Sequence, residues 1–167
     1  MRSLWVAAAV GSLIAVGIVG GRAAAGNASA NCTPGVITYG GAQARVFCGP
    51  AKATLKIGTK VMKFSQGECL KTSTYVSVNI GTVVLGQSNK PKPNYFGMNV
   101  GKTFASNDKP AGKDGTYKNA DVAIDYAGKG YLVRRDTVVT KLTSGRNKGV
   151  FTAKTFDGKS VSGSFTC

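Results

Sequence analysis

From residue 53 onward, apolar and polar positions alternate with a period of two, the pattern of half-buried strands. Residues 53–57 and 60–64 alternate on either side of Gly58-Thr59, which predicts a hairpin with a two-residue turn. The alternation resumes over 75–80 and is broken by Gly81, and residues 95–100 form another short strand. Val122, Ile124 and Tyr126 share one face of a strand. Gly128-Lys129-Gly130 turns the chain, Tyr131 and Val133 share a face of the next strand, and residues 138–142 follow before a turn at 144–147. The last hairpin joins 150–156 to 159–167 through Asp157-Gly158. Two registers are open for it: a two-residue loop sets Val150 opposite Phe165, and a three-residue loop sets Phe151 opposite Phe165 and Ala153 opposite Gly163. No helical apolar stripe of ten residues runs through the later chain without a Gly or Pro. The expected fold is all-β: a single antiparallel domain of about eight short strands, a β-sandwich or half-open barrel.

The start of the chain has a different pattern. Arg2 precedes an apolar, small-residue stretch over 4–19, followed by Ala23-Ala24-Ala25, the plan of a secretory signal peptide. Residues 1–25 are read as that leader, with a second permissible cut after Ala30, and 31–167 as the exported domain. An uncleaved anchor is the competing reading, weakened by the glycines and alanines in the stretch. Acylation of Cys32 is a third, although Ser29 and Asn31 stand where a lipobox has an aliphatic and a small residue.

Cysteines at 32, 48, 69 and 167 allow three pairings. Cys32 with Cys48 and Cys69 with Cys167 is favoured, since the first closes a Gly-containing loop and the second fastens the last residue to an early strand. No Cys-x-x-Cys spacing supports redox chemistry or zinc.

The chain of 167 residues has no histidine, which removes the usual general acid/base and the commonest metal ligand. Among the carboxylates, only Asp121 and Asp125 share a strand face closely. On a strand, four residues span ~13 Å, beyond the ~5–9.5 Å of a glycosidase pair. Asp114 and Asp157 precede glycines and read as turn formers, and Glu68 has no visible partner. No Ser-x-x-Lys motif is placed on a helix. The expectation is a protein that is not an enzyme and that uses no cofactor or metal.

Charge redirects attention to binding. The formal charge is +15, and loss of Arg2 and Arg22 with the leader leaves 20 basic residues against 7 acidic ones, near +13. Three basic groups stand out: Lys90 and Lys92 just before Tyr95 and Phe96, the pair Arg134-Arg135, and Lys141, Arg146 and Lys148 around a turn. The two prolines of segment 87–94 make it extended. Lys90, Lys92, Tyr95 and Phe96 are therefore the candidate ligand-binding residues, a cation–aromatic combination suited to polyanions or sugars. Anionic envelope polymers or lipids, or another exported protein, are the expected partners. Intracellular nucleic acid is excluded by export, and a membrane is a partner only through an uncleaved leader or an acylated Cys32.

At Gly67-Glu68-Cys69, Val78-Asn79-Ile80-Gly81 and the terminal Phe165-Thr166-Cys167, the chain resembles the mycobacterial lipoprotein-antigen family over residues 53–167. The resemblance implies a β-rich, exported, envelope-associated protein, a Cys69–Cys167 disulfide, and no catalytic residue. A proper lipobox and a Ser/Thr-rich linker, usual in that family, are missing, and Cys32 and Cys48 are additional. The expected function is that of a non-enzymatic secreted or cell-envelope surface protein. The alternatives are a protein-binding or inhibitor domain using the loop from Lys90 to Phe96, and a lipid carrier with an interior cavity.

Overall fold

The structure, a computed structural model, describes residues 32–104 and 106–167. The leader and both cleavage sites lie outside them. Eleven strands form one sheet: β1 Gly35–Tyr39, β2 Ala42–Phe47, β3 Ala51–Ile57, β4 Lys60–Lys71, β5 Tyr75–Leu85, β6 Tyr95–Gly101, β7 Gly115–Lys118, β8 Asp121–Tyr126, β9 Lys129–Thr143, β10 Lys148–Thr155 and β11 Ser160–Thr166. Every pairing is antiparallel, as the all-β reading requires.

The sandwich or half-open barrel is corrected to a closed one. The ring runs β3, β4, β5, β6, β8, β9, β10, β11 and back to β3, so eight strands have hydrogen-bonded neighbours on both sides. Two pieces lie outside it: the β1–β2 hairpin extends the second half of β5, and β7 pairs with residues 139–142 of β9. Closure rests on β11, which joins the last hairpin to the first ring strand with Phe165 opposite Ala53. Alternation shows which face a residue takes but not which distant strand lies beside it.

Gly81 does not end its strand. With φ of 91° it bends β5 where the β4 pairing, which reaches Ile80, is replaced by the β2 pairing from Gly81 to Leu85. A Cβ there would also lie 2.2 Å from the Asn94 carbonyl oxygen. The turn expected at 128–130 falls instead at Ala127-Gly128, both at positive φ, between the paired Tyr126 and Lys129. The Gly58-Thr59 turn stands as expected, with Ile57 opposite Lys60.

Neither expected register of the last hairpin is adopted. Phe151 faces Gly163 and Gly149 faces Phe165, around a loop in which the Thr155 hydroxyl accepts from the Lys159 amide at 2.9 Å. Packing selects this register. A Cβ at Gly163 would come within 2.7 Å of the Phe151 ring, and one at Gly149 within 2.3 Å of Phe165. Each phenylalanine thus uses the space of the glycine across from it, while Phe151, Ala153, Val161 and Phe165 all point inward.

The ring is filled by Leu55, Met62, Phe64, Ile80, Phe96, Met98, Phe151 and Phe165 with their neighbours, as an eight-stranded barrel can be. Phe96 stacks on Phe151 with ring centroids 6.0 Å apart and meets Phe64 at 5.9 Å. A filled interior is the opposite of what a lipid carrier needs. The outward side of β3 carries Lys52, Thr54 and Lys56, so that surface is not the apolar band of a membrane-spanning barrel. Both favoured disulfides are present, Cys32–Cys48 and Cys69–Cys167.

Candidate basic face

The four candidate ligand-binding residues do not assemble into a surface. Phe96 is fully buried in the barrel and Tyr95 is 8% exposed. On a strand, adjacent residues point to opposite faces, so Phe96 turns inward and Tyr95 outward. Outside the barrel, Tyr95 stacks against Phe47 at 6.0 Å and donates its hydroxyl to Asn79 Oδ1 at 2.7 Å. Lys92 forms an ion pair with Asp125 at 3.2 Å and bridges to Gly128, while Lys90 lies over the Tyr39 ring. Tyr39 in turn donates to the Pro91 carbonyl at 2.8 Å. The 86–94 segment is therefore a strap held between the β1–β2 hairpin and the β8–β9 turn, with its two aromatic neighbours folded away.

Burial pushes the Tyr95 hydroxyl from its ordinary 10.0 up to about 12, with the charges of Asp125 and Glu68 acting in the same direction. The neutral phenol is the form the fold favours. Its contribution is complete below pH 10 and is lost as pH rises from 10 to 12, on the order of 2–3 kcal/mol in all. In Tyr95→Phe, the fall of stability across that window, followed by denaturant unfolding at stepped pH, becomes shallower. An unchanged slope would place the titrating group elsewhere.

The other basic groups are also redistributed. Arg134 pairs with Asp136 at 2.8 Å, and Arg135 pairs with both Asp108 and Asp121 in the bulge that separates the two halves of β9. Arg146 is a staple, donating to the Thr72 and Ala111 carbonyl oxygens at 2.5 and 3.1 Å. Lys141 and Lys148 alone of that third group face outward.

They belong to a surface that the sequence reading did not assemble. Across the outer side of the barrel, Lys63, Thr54, Ser164, Val150, Lys141 and Thr116 form one row of directly paired positions. Val61, Lys56, Ser162, Thr152, Val139 and Lys118 form the next, and Lys52, Thr166 and Lys148 begin a third. All fifteen side chains are exposed. The middle is a shallow trough of about 480 Å³ lined by Thr54, Val61, Val150, Thr152, Ser162 and Ser164, with lysines around it. Measured along the curved sheet, Lys63 and Lys141 are four strand spacings apart, ~19 Å.

No carboxylate answers these lysines. Strands β3, β7, β10 and β11 contain no Asp or Glu. Of the seven acidic residues of the chain, Glu68, Asp108, Asp121, Asp125, Asp136 and Asp157 are in ion pairs elsewhere. The seventh, Asp114, accepts the amides of Gly145 and Arg146 at 3.0 and 2.6 Å. Among the described residues, none of Lys52, Lys56, Lys63, Lys118, Lys141 and Lys148 makes an ion pair. Among those residues, too, no three His, Cys, Asp or Glu side chains converge on a common point. Asp121 and Asp125, the one candidate carboxylate pair, have separate cationic partners, Arg135 and Lys92.

The signal for this face was present in the alternating lysines of β3 and β4. What sequence reading lacked was the order of strands around the ring, which brings β7 and β9 to the same surface. Comparison with known proteins gives no family, no curated relative and no solved structure that matches the chain.

Proposed function

We propose that the protein is an exported, non-enzymatic surface protein of the lipoprotein-antigen-like type, secreted or held at the cell envelope, which binds anionic envelope polymers on the lysine face. The observation that carries this reading is the set of six outward lysines on the curved outer wall of the barrel with every acidic residue engaged elsewhere. A band of cations spread over ~19 Å of the curved wall suits an extended polyanion that follows it rather than a single small anion. The Ser and Thr hydroxyls between the lysines supply hydrogen bonds to ester or sugar oxygens. Two disulfides are what an oxidising, extracellular compartment produces. The alternative of a protein inhibitor working through the loop from Lys90 to Phe96 has less support, because Tyr95 and Phe96 are buried.

Long-chain inorganic polyphosphate is a suitable probe, with a neutral glucan as control. Binding falls steeply as salt rises, and Lys56→Ala, Lys63→Ala and Lys141→Ala together weaken it about tenfold at low salt and flatten the salt dependence. Wild-type affinity in that triple variant, or binding indifferent to salt, would sink the proposal.

A further inference from the structure

A second surface lies at the barrel end formed by the β10–β11 and β8–β9 turns, and its chemistry differs from that of the lysine face. Leu132 is 74% exposed and Phe156 71%, and the two are held side by side, since the Phe156 amide donates to the Leu132 carbonyl at 3.0 Å. Alternation explains why both point out: Tyr131 and Val133 on β9, and Thr155 at the end of β10, take the inward positions. Exposed Ala123 sits opposite Leu132 on β8 and extends the row. A cleft of about 260 Å³ beside the pair is lined by Lys129, Tyr131, Leu132, Phe156, Asp157 and Lys159.

Cations surround this apolar row. Lys129 and Lys159 flank the cleft, and Arg134 and Lys154 stand opposite each other one step along the strands. Lys60 donates to the Tyr131 hydroxyl at 3.2 Å and lies over the Tyr126 and Tyr131 rings. Asp125, Asp136 and Asp157 are the nearby carboxylates, and each is matched by one cation, Lys92, Arg134 and Lys159. Lys60, Lys129 and Lys154 remain as net positive charge.

We propose that this end of the barrel seats on an acidic phospholipid surface, with Leu132 and Phe156 entering the interfacial layer and Lys60, Lys129 and Lys154 facing the headgroups. Two adjacent large apolar side chains, one on β9 and one in the β10–β11 turn, expose area that a bilayer interface buries favourably. Lysines near an anionic leaflet are attracted to it, which selects an acidic lipid surface over a neutral one. The site adjoins the lysine face, since Lys154 follows Thr152 on the outward side of β10, but it uses none of that face's six lysines, and the proposal stands or falls independently of polymer binding.

Trp5 is the only tryptophan, so replacing it frees the chain for a reporter placed at one position. The test uses the full chain with Trp5→Phe and Phe156→Trp, mixed with vesicles of phosphatidylcholine alone or with phosphatidylglycerol added, carrying brominated acyl chains. A control chain carries Trp5→Phe and Val150→Trp, on the lysine face. The apolar N-terminal stretch can tether the chain to any vesicle, so the readout is the position of the reporter and not the amount bound. On acidic vesicles the position-156 emission shifts to shorter wavelength and is quenched by bromine. Added Leu132→Asp removes both effects, and the position-150 reporter shows neither. No response at position 156, an equal response on neutral vesicles, or the same response at position 150 overturns the proposal. So does self-association without lipid that Leu132→Asp abolishes, since the row would then be an interface between copies.

Discussion

Replacing Cys69 and Cys167 by serine lowers the unfolding free energy by about 4–5 kcal/mol, the loop-closure value for a bridge of this span. The two cysteines are 98 residues apart, the longer separation of the two disulfides. The bridge also acts where the ring is most exposed to entropy. It ties Cys167, which follows β11, to Cys69 in β4, and β11 is the strand that joins β10 to β3 and closes the barrel. Without it, pairing the two ends of the ring must repay the full cost of bringing distant chain segments together. The Cys32–Cys48 bridge spans 16 residues and restrains the β1–β2 hairpin outside the ring. Its removal costs about 3 kcal/mol or less on the same reasoning, and the barrel stays closed. Urea unfolding of the two double-serine variants, read as the shift in midpoint at unchanged slope, distinguishes them. A larger loss from the Cys32–Cys48 variant would mean that closure does not depend on the C-terminal bridge.

Phe96→Ala is the second large effect, a loss of about 3–5 kcal/mol expected for truncating a fully buried aromatic. Phe96 is completely enclosed, with Phe151 stacked on it, Phe64 beside it and Ile80 opposite on β5. The cavity left behind is bounded by paired strands, which limits collapse around it. By contrast, Lys90→Ala stays within about 0.5 kcal/mol, as a surface change should. Measured together, the two substitutions separate a recognition loop from a strap leading into a core strand. Intact stability in Phe96→Ala, together with lost binding, would restore Phe96 as a ligand contact.

Particular residues show how far the sequence could be read. The Gly58-Thr59 hairpin, the inward faces of β3 and β8, and the outward positions of Asp121 and Asp125 follow from period-two alternation, which is local information. The disulfide pairs were also within reach, given four cysteines in a β-rich chain. Tyr95 and Phe96 were misread because composition placed them beside a Pro- and Lys-rich segment, while the strand begins at Tyr95 itself. The last hairpin was misread because its register is set by Phe151 and Phe165 settling over glycines across the ladder, a contact that turn residues do not encode.

Strand existence, antiparallel all-β character and the excess of positive charge were determined by the sequence alone, because each depends on neighbours in the chain or on a sum over it. Closure of the ring, the gathering of Lys52, Lys56, Lys63, Lys118, Lys141 and Lys148 along neighbouring strands of its outer wall, and the exposure of Leu132 beside Phe156 were decided only by the tertiary structure. The physical reason is common to all three. A strand's alternation specifies which way its side chains point, but which strands lie side by side is set by long-range packing of the core, and surface chemistry is inherited from that order.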